Sequence, residues 1–292
     1  MSPLGTRDGA AGLDGATGEA LAGLLLAMAD DEFVLGYWDS EWTGIAPMLE
    51  EDVAFSSLAQ DEIGHAQALH RLRAELTGDD PDAVAYGREP DAYRHARLLD
   101  HARGDWAFSV ARRFLYDTAD AVRLDALAGS SWAPLASLVA KIRREEVYHL
   151  AHCRAWVERL AARDGQPRGR LDAALDRLWP DALTVLSPLP GEERLVEAGI
   201  LDAPMAVLRD RWLGTLAAFL GDLGVPFPFA STGTATGGAT GGATGAGWTP
   251  TFTTPALAAV DAGARGGGRG DDFRWLWGEF TMVARSEPGA RW

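Results

Sequence analysis

Residues 62–65, Glu-Ile-Gly-His, and residues 146–149, Glu-Val-Tyr-His, decide how this chain reads. Three residues along a helix turn the chain through about 300°, so the Glu and the His of each stretch stand side by side on one face. A carboxylate and an imidazole at that spacing can bind one metal ion together. Each pair also interrupts an apolar stripe. Around the first pair the stripe runs Phe55, Leu58, Glu62, His65, Leu69, Leu72, Leu76; around the second it runs Leu135, Val139, Ile142, Glu146, His149, Cys153, Trp156, Leu160. Stripes with helical spacing face a core, and an ionised carboxylate placed there is costly without a partner. A metal cation would satisfy four such groups at once. Solvated helices carry Glu-x-x-His pairs by chance, so the placement on apolar seams carries the reading.

Two-metal carboxylate bundles take a Glu-x-x-His pair from each of two helices and one acid from each of the other two. Working outward, the stripe Leu21, Leu25, Met28, Glu32, Leu35 puts Glu32 on a seam, with Asp30 and Asp31 as neighbouring alternatives. The stripe Val110, Phe114, Asp117, Ala121, Leu124 does the same for Asp117, with Asp120 one turn away. His152 could replace His149 but falls off its seam. Glu32 precedes Glu62 by 30 residues and Asp117 precedes Glu146 by 29, so the chain reads as a repeated half, each an antiparallel helix pair. The expected fold is all-α, a four-helix bundle with additional C-terminal helices. The expected metal ligands are Glu32, Glu62, His65, Asp117, Glu146 and His149. Asp61 and Arg144 are candidates for holding the ligands in place, with solvated charge the alternative, and Tyr116 and Tyr148 flank the ligands as expected core residues, with a redox role the alternative.

Helical periodicity predicts helices over 17–38, 47–77, 105–129, 132–162, 168–186 and 204–223. Asp105 suits an N-cap and Pro134 a first helical turn. Residues 1–16 read as a flexible N-terminal extension and 17–230 as the bundle. Residues 231–247, a Thr/Gly/Ala repeat with nothing to bury, read as a linker. Residues 248–292, with Phe273, Trp275, Trp277 and Phe280, read as a helical segment that docks on the bundle. His70, His95 and His101 are expected at the surface or in loops. The net charge of −15 argues against nucleic-acid binding. The single cysteine, Cys153, rules out an internal disulfide and a CxxC motif and fits a reducing cytoplasm. No stretch reads as a signal peptide or a membrane span.

Several segments together resemble a known family: DDEFVLGYWDSEWTG with APMLEEDVA and DEIGHAQ, then ARRFLYDTAD, IRREEVYHLAHCRAWVERL and the ending PGARW. They are similar to the phenylacetic acid catabolic family, most of all to its C-type subunits, across about residues 18–223 and the last twenty or so. That resemblance implies a ferritin-like fold and a multicomponent monooxygenase. In such an enzyme an A-type subunit uses a di-iron centre to epoxidise the ring of phenylacetyl-CoA with O₂. A C-type subunit pairs with it as a structural partner, and a separate reductase delivers electrons. C-type chains of the best-known enzymes have lost their metal ligands, whereas this chain keeps both Glu-x-x-His pairs.

The expectation is therefore an oxygenase subunit with two iron ions, manganese being chemically compatible. Its expected partners are a paralogous ferritin-like subunit, a reductase and a small aromatic or acyl-CoA substrate, in a homo- or hetero-oligomer. A non-catalytic partner subunit and a standalone ferritin-like metal protein are the alternatives. Arg112-Arg113 and Arg143-Arg144 are too ordinary as basic pairs to assign to a CoA phosphate.

Overall fold

In a computed structural model, residues 13–231, 252–253, 260–261 and 263–288 are described. Most of the described residues are helical. The first helix, α1 (Gly15–Ser40), is started by Asp14, whose carboxylate accepts from the Thr17 amide at 2.8 Å. It is joined to α2 (Leu49–Thr77) by the SEWTG turn. In that turn Gly44 takes a φ of +84°, its amide donates to Asp52, and Trp42 folds inward so that its Nε1 donates to Ser109. The second hairpin is α4 (Trp106–Leu127) and α5 (Ala133–Ala161). Asp105 caps α4 through the Phe108 amide, and Pro134 sits in the first turn of α5.

The four long helices do not have equal surroundings. On α5 the buried residues are Leu135, Val139, Ile142, Glu146, His149, Cys153 and Val157, a single stripe, with Val157 rather than Trp156 on the seam. On α2 the buried residues likewise include Phe55, Leu58, Glu62, His65, Leu69 and Leu72, the expected seam. Helices α1 and α4 are buried on nearly all sides, from Leu24 to Val34 apart from Leu26 and from Ala107 to Asp120. A helix that is buried all round needs neighbours all round. Here α6 (Gln166–Ala182) and α8 (Met205–Asp222) pack on α4, and the short α7 (Glu192–Glu197) packs on α1. The expected helix windows are each occupied, with 183–186 tightening into a 3₁₀ turn. A further short helix, α3 (Pro81–Tyr86), capped by Asp80, lies between the two hairpins in the chain.

The last described helix, α9 (Asp271–Ser286), buries Phe273, Leu276 and Phe280. Phe280 packs edge-on against Phe33 of α1, and the Trp277 indole donates to the Arg88 carbonyl. Residues just before it are tied down by charge. Arg265 donates to both carboxylate oxygens of the buried Asp31 at 2.9 and 3.0 Å, and Arg269 donates to the Tyr93 and His95 carbonyls. A two-residue antiparallel ladder, Ala230–Ser231 with Phe252–Thr253, is the only extended pairing among the described residues. The expected extension over residues 1–12, most of the linker over 232–247, and the ending PGARW beyond Pro288 lie outside the described residues. Among the described residues no helix is long and apolar enough to cross a membrane.

Two histidines depart from expectation. His70 and His95 are buried, not superficial. His95 pairs with Asp100 at 2.7 Å and lies against the Phe273 ring, while His101, half-buried, pairs with Asp181. His70 is on a second face of α2, against Phe33, with neither ring nitrogen hydrogen-bonded. Burial pushes its pKa down from 6.5 to about 4, so the neutral ring is the folded form. The associated stability is fully present above pH 6.5 and is lost as pH falls through 4. In urea titrations, His70→Leu is expected to flatten the fall in stability between pH 7 and pH 4 by about 3 kcal/mol. An unchanged slope would place His70 outside the acid transition.

Candidate metal centre

Glu32, Glu62, His65 and Glu146 converge between the four helices, each offering one donor atom, and these atoms all lie within 4.8 Å of one another. Helical spacing explains the convergence: α2 presents Glu62 and His65 one turn apart, and α1 and α5 bring Glu32 and Glu146 from either side. Close approach of α1 to α2 depends on Gly36. A Cβ there would stand 3.0 Å from the Ala59 carbonyl oxygen and 3.1 Å from the Glu62 Cβ. Asp30 and Asp31 point elsewhere, to Arg88 and to Arg123 with Arg265, so Glu32 alone of the three acids enters the cluster.

The four residues share a feature that fits a cation. Glu32 Oε2, Glu62 Oε2, His65 Nδ1 and Glu146 Oε1 are all buried without a hydrogen-bond partner. Orphaned polar atoms are costly, and three carboxylate oxygens with one imidazole nitrogen form a donor set suited to a first-row divalent ion. Around them, other side chains fix the orientation. Tyr116 donates to Glu32 Oε1 at 2.8 Å and accepts from Arg123, so it is a polar neighbour of the cluster rather than simple packing. Each histidine is held at its far nitrogen by the acid that precedes the glutamate of the opposite motif: His65 Nε2 lies 2.7 Å from Glu145, and His149 Nε2 lies 3.3 Å from Asp61. Asp61 is a candidate for this role from sequence. Glu145 is not, and Arg144, the other candidate, is exposed. Tyr148 is exposed as well, where core packing is expected.

Asp117 and His149 also reach the centre, but they meet a guanidinium there. Arg113, fully buried on α4, donates through Nη1 to Asp39 at 2.6 Å, through Nη2 to Glu62 Oε1 at 2.5 Å and through Nε to Asp117 Oδ2 at 3.2 Å. Its Nη2 is also 3.2 Å from His149 Nδ1. Arg112 is buried beside it and donates to the His101 carbonyl, so neither arginine of this pair is available to a solvent-borne phosphate. Arg113 stands four residues before Asp117, on the same face of α4. An arginine at seam spacing from an expected ligand is the sequence signal that identifies it.

The electrostatics follow from this arrangement. Burial opposes ionisation of Glu62, but the Arg113 charge and the adjacent histidines hold its carboxyl well below the usual range. Burial, followed by repulsion from Glu62, holds Glu32 well above it. Asp117 is pushed up to about 7 by burial, against the pull of Arg113. Burial opposes protonation of both histidines, yet their carboxylate neighbours raise His149 to about 11 and raise His65 as well.

Sequence comparisons agree with this architecture. Residues 11–292 match the family model described as phenylacetic acid catabolic protein. The chain belongs to the phenylacetic acid catabolic protein family. Within that family it is 28 % identical over 209 residues to the C-type subunit of 1,2-phenylacetyl-CoA epoxidase from Escherichia coli (strain K12), a match covering 71 % of this chain and 84 % of that protein. It is 25 % identical over 150 residues to the A-type subunit of the same epoxidase, covering 51 % of this chain and 48 % of that protein. The matched stretch thus spans about half the length of the A-type relative. The buried Glu/His cluster of this family member could hold metal.

If Asp61 and Glu145 orient the histidines of such a site, Glu145→Ala is expected to weaken Mn²⁺ or Fe²⁺ binding by roughly 10- to 100-fold. Isothermal titration of the folded variant checks this, with circular dichroism confirming an unchanged helix content. Unaltered affinity would show that the His65 ring is held by packing alone.

Proposed function

We propose that this chain is the C-type partner of a phenylacetyl-CoA epoxidase-type assembly. In that role it pairs with a paralogous ferritin-like chain of the A type, which carries the oxygen chemistry with electrons from a separate reductase. One observation supports this reading above the others: the Arg113 guanidinium is bonded to Glu62 and Asp117 and lies against His149, three of the six residues that a two-metal site needs. A fixed charge there is incompatible with a second ion on the same donors. The more extensive match to the C-type relative than to the A-type one points the same way.

A second reading has an observation of its own. Four of the six expected ligands, Glu32, Glu62, His65 and Glu146, cluster together, and three buried carboxylate oxygens lie unpaired around the equally unpaired His65 Nδ1. On that reading Glu32, Glu62, His65, Asp117, Glu146 and His149 would hold two iron ions, or manganese, and this chain would itself serve as an oxygenase on an aromatic CoA thioester. Bound iron would supply O₂ activation. The chain's own part would be to hold the donors, with Tyr116, Asp61 and Glu145 fixing their orientation, and to exclude water from a site with apolar residues above and below.

Co-expression with an A-type chain separates the two. The partner reading expects equimolar co-purification by native mass spectrometry, and no substrate-dependent O₂ uptake by this chain with reductase alone. It also expects that His65→Ala in this chain leaves turnover of the assembled complex within about twofold, since catalytic ligands cost far more when lost. Substrate-dependent O₂ uptake by the isolated chain, abolished by His65→Ala, would establish the oxygenase reading instead.

A further inference from the structure

Two halves of the central cluster are treated differently by the protein. On the Arg113 side the donors are engaged. Glu62 Oε1, Asp117 Oδ2 and Asp39 Oδ2 each accept from the guanidinium, and His149 Nδ1 lies 3.2 Å from it. On the His65 side the facing atoms of Glu32, Glu62, Glu146 and His65 have no hydrogen-bond partner although all four residues are buried, and Glu146 Oε1 stands between the two imidazoles, 3.3 Å from His65 Nδ1 and 3.1 Å from His149 Nδ1. Glu62 straddles the boundary, with one oxygen given to Arg113 and the other left facing His65, 3.7 Å from its Nδ1. Asp117 Oδ1, also without a hydrogen bond, lies 3.1 Å from Arg113 Nη2 and so belongs to the engaged half.

We infer that this chain has a one-ion site: a single divalent transition-metal ion held by Glu32, Glu62, His65 and Glu146, with the Arg113 guanidinium as a permanent cation where a second ion would otherwise sit. Charge explains the arrangement. Asp39, Glu62, Asp117 and Glu146 crowd into one dehydrated volume with Glu32, and positive charge must be supplied there. Arg113 supplies it for the half facing Asp39 and Asp117, and it stays charged at any physiological pH. One further cation, in place of a proton on His65, would satisfy the remaining orphaned donors. Tyr116 and Glu145 hold Glu32 and His65 so that their free atoms face each other across 3.4 Å. The inference concerns the isolated chain and holds whether or not the partner reading does.

The test is metal stoichiometry of the purified full chain with Mn²⁺ as probe, and with Fe²⁺ under anaerobic conditions. One ion per chain is expected by elemental analysis after gel filtration. The Mn²⁺-loaded protein should give the six-line electron paramagnetic resonance spectrum of an isolated ion. His65→Ala should abolish stoichiometric binding, whereas His149→Ala, which removes a neighbour of Glu62 and Glu146 and not a ligand, should retain one ion with roughly a 10- to 100-fold loss of affinity. Arg113→Ala should admit a second ion and give the exchange-coupled multiline spectrum of a manganese pair. Should that variant fail to fold, the wild-type count and the two histidine variants decide alone. Two coupled ions in the wild-type chain, no bound ion, or equal loss from the two histidine variants would overturn the inference.

Discussion

Burying carboxylates between helices is the constraint on which this structure turns. Glu32, Asp39, Glu62, Asp117 and Glu146 all lie inside the bundle, and a second acidic set, Asp30, Asp31 and Asp120, is buried as well. Water is not there to screen them, so the fold must bring cations to the same depth. It does so with arginine. Arg113 serves the central set, Arg123 joins Asp31 to Asp120, and Arg88 takes Asp30. The chain's C-terminal segment belongs to the same solution. Arg265 enters from the far end of the chain and completes the partners of Asp31. Docking of α9 is thus as much an electrostatic event as the burial of Phe273 and Phe280.

This layering explains why α1 and α4 are central and α2 and α5 are not. The arginine–carboxylate pairs run between α1 and α4 and outward to the segments that cover them. Helices α2 and α5 contribute their ligand pairs from one stripe each and leave much of their remaining surface to solvent. The reciprocal placement of Asp61 and Glu145 follows from the same geometry. Two facing helices with the same acid-Glu-x-x-His order bring the acid of each beside the far ring nitrogen of the other's histidine.

What could be read beforehand follows from periodicity. The seams of α2 and α5 were legible because an apolar stripe interrupted by Glu and His is a local pattern, and Glu32 followed from the same reasoning on α1. Asp117 falls in the expected volume but beside an unexpected neighbour, because a seam position says which way a side chain faces and not what it meets. His70 and His95 are buried against expectation for a related reason. Burial of His70 comes from α1 and α3 covering a second face of α2, and burial of His95 comes from α9, neither of which the periodicity of its own segment records.

By itself, the sequence determined that the chain is helical, that two hairpins repeat with nearly equal spacing, and that acids and histidines occupy core positions. These are properties of 3.6-residue periodicity, and each helix carries them independently. Only the tertiary structure decided which charges neutralise which. Arg113 reads locally as one half of an ordinary Arg-Arg pair, yet in three dimensions Asp39, Glu62 and Asp117, from three helices, all bond to it. Long-range Coulomb partnership depends on distances across the bundle, and those distances exist only once the helices have packed. That is why the position of the candidate centre was legible in the sequence while its charge balance was not.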